Sequence, residues 1–185
     1  MNNTFTLIYG CMFSGKTTKL IELFNQCNLD ENEVLVVKPK IDNRFVADKI
    51  NSHGGLNMPG IRIKNPEQIE SYLTPKIKMV FIDEVQFFGD RIVRTIENLL
   101  WNNVQVIASG LYKDYLHQDF GPMAQLKAMA NKEYELLATC HVCQQSASYT
   151  FRTVKSDEQI LVGHNNIYQA RCQQHWQEGM KALQD

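Results

Sequence analysis

The chain has 185 residues, of which 44% are apolar and 21% are charged, so it is long enough for one full hydrophobic core and a small appendage. Its 19 basic and 20 acidic side chains leave a net charge of −1, which lacks the positive surface expected of a dedicated nucleic-acid-binding protein and favours small ligands. No stretch resembles a signal peptide or a membrane span, so we expect a cytoplasmic protein without membrane or nucleic-acid partners.

Short apolar runs alternate with segments of helical periodicity through the first two thirds of the chain. In chain order the predicted elements are a strand over 5–9, a helix over 17–28, a strand over 34–37, a helix near 66–73, a strand over 79–82, a helix near 90–101 and a strand over 104–108. Apolar runs of this length suit strands that are buried on both faces of a parallel sheet. The pattern predicts an α/β fold.

The first strand is followed by a glycine loop, residues 10–17, whose sequence Gly-Cys-Met-Phe-Ser-Gly-Lys-Thr fits the phosphate-loop pattern. Glycines and successive N–H groups let such a loop wrap phosphate oxygens, while Lys16 adds charge near the β and γ positions and Thr17 can bind magnesium. The alternative is a tight strand–helix turn with a solvated lysine. The position of the glycine loop between a strand and a helix favours the phosphate loop and predicts a P-loop NTPase-like sheet flanked by helices. The predicted ATP-binding residues are Gly10, Met12, Phe13, Ser14, Gly15, Lys16, Thr17, Thr18 and Asp83.

Two acidic residues, Asp83 and Glu84, end the buried strand over 79–82. A carboxylate at this place in a phosphate-loop protein holds magnesium, directly or through water, and we assign that role to Asp83 together with Thr17. Glu84 is not needed for the metal and is available to take a proton from an attacking hydroxyl group or water. A solvated strand end is the alternative for this pair.

Cysteine and histidine mark the last third of the chain as a separate unit. A Cys-x-x-Cys pair and a Cys-x-x-His pair, 28 residues apart, predict a closed structural zinc site with three thiolates and one imidazole. The predicted zinc ligands are Cys140, Cys143, Cys172 and His175. From Tyr134 the segments become polar and β-prone, so we expect an α/β domain over 1–135 and a small β-rich zinc-binding subdomain over 136–185.

The glycine loop, the segment Ile-Asp-Glu-Val-Gln-Phe-Phe over 82–88 and the C-terminal cysteine module together resemble the type II thymidine kinases, the cytosolic zinc-containing family. Further matching segments lie in the same order at 42–44, 120–121, 148–150, 162–163 and Tyr168. The resemblance covers nearly the whole chain. It implies transfer of the γ-phosphate of ATP, with Mg²⁺, to the 5′-hydroxyl of thymidine for DNA precursor salvage.

The resemblance also implies roles for individual residues. Glu84 matches the general base, and Arg44 matches an arginine that stabilises the transferring phosphoryl group beside Lys16. Other matching positions contact the nucleoside through apolar walls and main-chain groups: Met12, Asp42, Phe87, Leu111, Phe120, Thr150, Leu161, Val162, Gly163 and Tyr168. The family further implies a homotetramer and feedback inhibition by dTTP in the active site.

The chain departs from the usual pattern of this family at Cys11, Val85, His53 and the segment 111–115. Because 111–115 is expected near the base pocket, deoxyuridine is a second candidate acceptor.

Two other classes of function compete with a kinase: an ATPase whose zinc knuckles bind nucleic acid, and a zinc interaction module with a structural nucleotide. ATP consumption distinguishes them, since a kinase needs a nucleoside, the ATPase responds to nucleic acid and the module to neither.

Overall fold

The computed structural model describes residues 4–40, 49–51, 57–156, 158–159, 161 and 167–183. Its strands are β1 Phe5–Gly10, β2 Val34–Pro39, β3 Lys49–Asn51, β4 Asn57–Pro59, β5 Ile61–Ile63, β6 Met79–Ile82, β7 Gln105–Leu111, β8 Lys132–Leu136, β9 Ala138–Thr139, β10 Ser146–Ala147, β11 Tyr149–Arg152 and β12 Tyr168–Arg171. Its α-helices are α1 Lys16–Gln26, α2 Ile69–Tyr72, α3 Arg91–Trp101, α4 Met123–Met129 and α5 Gln173–Ala182.

Six of these strands form one sheet in the order β5-β2-β6-β7-β1-β8, and every pairing in it is parallel. Parallel strands place their carboxyl ends at one edge, where open α/β sheets bind their ligands. β7 lies between β1 and β6, so the glycine loop after β1 and the acidic residues after β6 flank the end of β7. The predicted α/β fold with a parallel sheet is confirmed.

Helices cover both faces of this sheet. Successive residues of β1 point to opposite sides, so Leu7 packs in a cluster with α3 and α4, while Ile8 packs in a second cluster with α1. Helix α3 presents Ile92, Ile96 and Leu99 to the first cluster, as its helical spacing predicts. Burial on both faces explains why the strand sequences are short and apolar throughout.

The segment after the sheet forms a small lobe, which we call the zinc lobe (residues 138–183). It contains two short antiparallel pairs, β9 with β10 and β11 with β12, followed by helix α5. Its cluster of buried residues is small and consists of Cys11 from the glycine loop with Cys140, Ala147 and Ala170. The guanidinium of Arg171 stacks 3.6 Å from the Phe151 ring centroid.

Some element boundaries differ from the sequence-based expectation. Helix α1 ends at Gln26 because Cys27 is extended, with ψ of 120°, and the segment expected to form a helix near 66–73 is a 3-10 turn followed by the one-turn α2. Strand β8 was not predicted as part of the main sheet, because its polar sequence lies at the sheet edge. The domain division at 135 stays a prediction. No helix in the described part of the chain is long and apolar enough to span a membrane.

Candidate active site and metal centre

The glycine loop leaves β1 at a point of very close packing. A Cβ atom on Gly10 would lie 2.2 Å from the carbonyl oxygen of Leu136 on β8, so a side chain there would force the two strands apart. Phe13 and Gly15 both have positive φ, of 65° and 83°, and α1 begins immediately after them at Lys16. The loop therefore folds back over the amino end of α1, where backbone N–H groups are free of helix partners.

Lys16 points into this loop. Its side chain is only 8% exposed, and its Nζ donates a hydrogen bond to the carbonyl oxygen of Cys11 at 2.6 Å. Burial lowers the pKa of the Lys16 ammonium group, and the nearby carboxylates of Glu84 and Asp83 partly oppose this shift. The structure thus holds one buried cation close to two acidic residues.

Asp83, directly after β6, connects three elements. Both of its carboxylate oxygens lie 3.3 Å from the Thr17 hydroxyl on α1, and Oδ1 accepts a 2.5 Å hydrogen bond from Ser109 on β7. Burial, followed by the charge of Glu84, raises the pKa of Asp83 from 3.8 to about 6. A hydroxyl and a carboxylate at one point offer the hard oxygen ligands that Mg²⁺ prefers.

Glu84 follows in a left-handed backbone conformation, with φ of 54° and ψ of 43°. Such a conformation is unfavourable for a residue with a side chain, and residues held in it cluster at functional sites. It turns the chain from β6 into a short 3-10 helix over residues 85–88. The Glu84 carboxylate accepts a 2.6 Å hydrogen bond from the Nε2 of Gln86.

The residues predicted to contact the nucleoside are brought together in pairs. The Met12 N–H donates to Thr150 Oγ1 at 3.1 Å, and the Phe87 and Phe120 rings pack edge to face with centroids 5.4 Å apart. The backbone N–H of Leu111 donates to the side-chain carbonyl of Gln86 at 3.1 Å. The predicted nucleoside-contacting residues therefore lie on the glycine loop, the segment after β6, the segment after β7 and the zinc lobe.

Tyr168 at the start of β12 donates a 3.3 Å hydrogen bond to the Leu161 carbonyl oxygen. It also lines a cleft of about 520 Å³ together with Phe13 of the glycine loop and His141 of the zinc lobe.

Four predicted site residues lie outside the described part of the chain and stay predictions: Asp42, Arg44, Val162 and Gly163.

Several residues that shape this region had no predicted role. Gln86 was within the 82–88 segment but received no role, and Ser109 gave no signal because one serine in a buried strand belongs to no motif. A second group ties the 111–120 segment to the zinc lobe. The Arg152 guanidinium stacks 3.4 Å from the Tyr115 ring centroid, and the Trp176 Nε1 donates to the Tyr115 carbonyl oxygen at 3.1 Å. These contacts join residues that are distant in sequence.

The four predicted zinc ligands converge. Their candidate ligand atoms all lie within 4.8 Å of one another. The Sγ atoms of Cys143 and Cys172 are 3.8 Å apart, and the Nδ1 of His175 lies 3.8 Å from Cys140 Sγ and 3.1 Å from Cys172 Sγ. Tetrahedral zinc with bonds of about 2.3 Å to sulfur separates its ligand atoms by roughly 3.8 Å. The cluster could therefore bind zinc.

The surroundings of this cluster also favour a metal. Burial raises the pKa of the Cys140 thiol, but hydrogen bonds from the backbone at Cys143, Cys172 and Val142 outweigh it and lower that pKa to about 6. A thiolate is the form that binds a metal ion. The Nε2 of His175 lies 3.9 Å from a carboxylate oxygen of Glu178, and a carboxylate on the outer nitrogen is a common way to orient a metal-binding imidazole.

The fold and these residues define the class: an α/β protein with a six-stranded parallel sheet and a three-cysteine, one-histidine centre suited to zinc. A family model described as thymidine kinase matches residues 3–176. A thymidine kinase of Bdellovibrio bacteriovorus is 37% identical over 176 residues, which cover 95% of this chain and 86% of that protein. The chain belongs to the thymidine kinase family.

Among solved structures, domain III of the replication initiation protein DnaA from Thermotoga maritima matches with a TM-score of 0.40 and 15% identity. That match covers 71% of this chain and 54% of the other chain. A TM-score of this size is too low to relate the two proteins.

Proposed function

We propose that this chain transfers the γ-phosphoryl group of ATP to the 5′-hydroxyl of thymidine, giving dTMP and ADP. The observation that carries the proposal is the thymidine kinase family match over residues 3–176. The geometry around Lys16, Asp83 and Glu84 supports it, because phosphoryl transfer requires charge stabilisation for the phosphates and one base for the acceptor. Deoxyuridine is a second acceptor in this proposal.

The donor side of the proposed site is the glycine loop. Backbone N–H groups of the loop and the buried Lys16 ammonium group bind the phosphates, with Thr18 on the first turn of α1. The hydroxyl of Thr17 and the carboxylate of Asp83 would hold a magnesium ion, which supplies positive charge to the phosphate oxygens when bound. The buried Ser14 Oγ, which has no hydrogen-bond partner in the described structure, is a further group suited to a phosphate oxygen.

On the acceptor side, Glu84 takes the proton of the 5′-hydroxyl as that oxygen attacks the γ-phosphorus. The bond between the γ-phosphorus and the bridging oxygen breaks, and ADP leaves with the electron pair. Arg44, with Asp42 beside it, is proposed to stabilise the charge on the transferring group. Phe87, Phe120 and Leu111 supply apolar walls, and an apolar pocket with main-chain hydrogen bonds can recognise a base without a charged side chain.

The metal centre has a structural role in this proposal. Three thiolates and one imidazole fill the four positions of tetrahedral zinc, so no position remains for a reacting water molecule. The centre packs against the glycine loop, since Cys11 belongs to the same buried cluster as Cys140. Zinc would fix the lobe that carries Thr150 and Tyr168.

We further propose a cytoplasmic homotetramer that dTTP inhibits by occupying the active site. These properties follow from the family assignment. Inhibition that is competitive with thymidine, and a sedimentation velocity measured at several protein concentrations, test the two proposals separately.

The first test measures the release of ADP from ATP in the presence of magnesium. The acceptor is thymidine, deoxyuridine, deoxycytidine or deoxyguanosine, and one reaction contains no acceptor. We expect turnover with thymidine and a loss of about 10²- to 10⁴-fold in the Glu84→Gln variant, the usual contribution of a positioned base. Turnover without any nucleoside would instead indicate an ATPase. Stimulation by single-stranded DNA alone would favour the nucleic-acid-dependent ATPase.

A further inference from the structure

Gln86 forms a bridge beneath the proposed base. It lies two residues after Glu84 in the short 3-10 helix and is only 2% exposed. Its Nε2 donates to Glu84 Oε2 at 2.6 Å, and its Oε1 accepts from the backbone N–H of Leu111 at 3.1 Å. One buried side chain therefore connects the segment after β6 with the end of β7.

The chemistry of the two partners fixes the orientation of the Gln86 amide. A backbone N–H can only donate a hydrogen bond, so it must face the amide oxygen. A carboxylate can only accept, so it must face the amide nitrogen. Rotating the amide by 180° would break both bonds and leave buried polar groups without partners, which is unfavourable.

The packing around Gln86 leaves its side chain little freedom. A Cβ atom on Gly110 would lie 2.6 Å from Gln86 Oε1, so the amide fills the space that this glycine leaves beside β7. The same Cβ would lie 3.0 Å from Val85 and from Met123. A buried amide with fixed orientation is a rigid support for the carboxylate it contacts.

We propose that Gln86 is a positioning residue for phosphoryl transfer, holding one oxygen of Glu84 so that the other faces the acceptor hydroxyl. The inference rests on the proposed function and on Glu84 as its base. Glu84 follows a strand end in a left-handed conformation, and its side chain has several rotatable bonds. The hydrogen bond from Gln86 selects one of the resulting orientations, and Gln86 itself is set by β7.

This arrangement also joins the base to the nucleoside pocket. Leu111, whose N–H binds Gln86, is among the residues predicted to wall the nucleoside. Its backbone is held by pairing with Gly10 in the glycine loop. The donor loop, the acceptor wall and the base are thus linked through neighbouring backbone positions and one amide.

The test compares Gln86→Met with the wild type in both the native and the Glu84→Gln background. Methionine has nearly the same length and volume but neither a donor nor an acceptor suited to these partners. Gln105→Met, at the opposite end of β7, is the matched control. Gly110→Ala is a second variant, because its Cβ would displace the amide without removing it. Thermal unfolding and circular dichroism establish that each variant folds.

We expect Gln86→Met to lower kcat by about 10- to 100-fold, the effect of misplacing a reacting group by about 1 Å. The KM values for thymidine and ATP should stay within about threefold of the wild type, since neither substrate is bound by this amide. In the Glu84→Gln background the same substitution should lower kcat by less than about threefold, because Gln86 acts through Glu84.

Three results would overturn the inference while leaving the proposed function intact. A raised KM for thymidine with unchanged kcat would make Gln86 a pocket residue. Equal losses of kcat in the two backgrounds would make its role general to the fold, and full activity of a folded Gln86→Met would exclude any role. An inactive wild type, in contrast, overturns the proposed function, and a fully active Glu84→Gln overturns the assignment of the base.

Discussion

The sheet and the zinc lobe are stabilised in different ways. The larger cluster in the described part of the sheet contains eighteen buried apolar residues, whereas the cluster of the zinc lobe contains four, of which two are cysteines and two are alanines. Because hydrophobic stabilisation is roughly proportional to buried apolar area, the lobe gains little from burial. The proposed metal centre, together with the stacking of Arg171 on Phe151, would take the place of a core.

The two regions meet at the glycine loop. The Cys11 Sγ lies 3.4 Å from the carbonyl oxygen of Ala147, and the Met12 N–H donates to Thr150 Oγ1 at 3.1 Å. The loop therefore belongs to the sheet through β1 and rests on the lobe through two neighbouring residues. The activity of the well-packed sheet can thus depend on the weakly packed zinc lobe. Variants in either region test this dependence.

Removal of zinc should have the largest effect. Binding of a structural zinc ion contributes about 10–16 kcal/mol in apparent terms, and the small apolar cluster of the lobe cannot replace it. With a chelator selective for zinc over magnesium, we expect amide protons of β9 to β12 to lose protection from hydrogen exchange while those of β1 and β6 keep it. Phosphoryl transfer should be lost at the same time.

Cys143→Ser and Cys27→Ser form the matched pair for this experiment, since both cysteines are half-buried and only Cys143 belongs to the metal cluster. The first should reproduce the effect of the chelator and the second should not. Uniform loss of protection across both regions would contradict the comparison, because it would show one cooperative core.

The Lys16→Met variant tests the part of the proposed site that the sheet and its glycine loop supply. Loss of this charge should lower kcat by about 10²- to 10³-fold, the usual cost of removing one group that stabilises developing charge. The free energy of unfolding without ligand should stay the same or rise, because burial disfavours the charged form of Lys16 and lowers its pKa. Urea denaturation measures this, with Lys19→Met on the same helix as control. A clear loss of stability would show that Lys16 supports the fold.

Asp83 should make the stability of the ligand-free protein depend on pH. Its pKa is raised from 3.8 to about 6, so the folded state holds the proton more tightly than the unfolded state. The contribution of Asp83 to the free energy of unfolding is therefore greatest below pH 3.8 and falls as the pH rises to about 6. Asp83→Asn should remove this fall.

The Ser109→Ala variant tests the same pH dependence of stability without removing the Asp83 carboxyl group. The Ser109 hydroxyl lowers the pKa of Asp83, so its loss should extend the decline in stability to higher pH. Denaturation curves at pH steps between 4 and 7 measure both variants. Identical pH dependence in the wild type and Asp83→Asn would show that other groups dominate this range.

Thr150→Val should have the smallest effect. It removes the acceptor for the Met12 N–H in a part-buried hydrogen bond, and a donor left without a partner there costs at most about 1–3 kcal/mol. We expect that loss in the free energy of unfolding, together with weaker ATP binding, because the glycine loop loses one of its contacts with the lobe. Thr139→Val, at an exposed threonine of β9, is the control. Unchanged ATP binding would mean that the loop does not depend on this contact.

Much of this protein is determined by local sequence patterns. Short apolar runs located the main strands, because burial on both sheet faces leaves a continuous apolar run, and helical spacing located α3. The convergence of the four predicted zinc ligands was predictable because short spacings such as Cys-x-x-Cys already place two candidate ligands near one point. Strand β8 was not, since an edge strand with polar residues resembles a loop.

The tertiary structure alone decided how distant residues meet. Ser109 reaches Asp83 because β7 lies beside β6, and Gln86 reaches Leu111 for the same reason, yet neither pairing leaves a trace in the spacing of residues. The contacts of Thr150 with Met12 and of Arg152 with Tyr115 depend on where the zinc lobe docks. Local chemistry sets which residues can bind phosphate or metal, and strand order and lobe docking set which groups hold them in place.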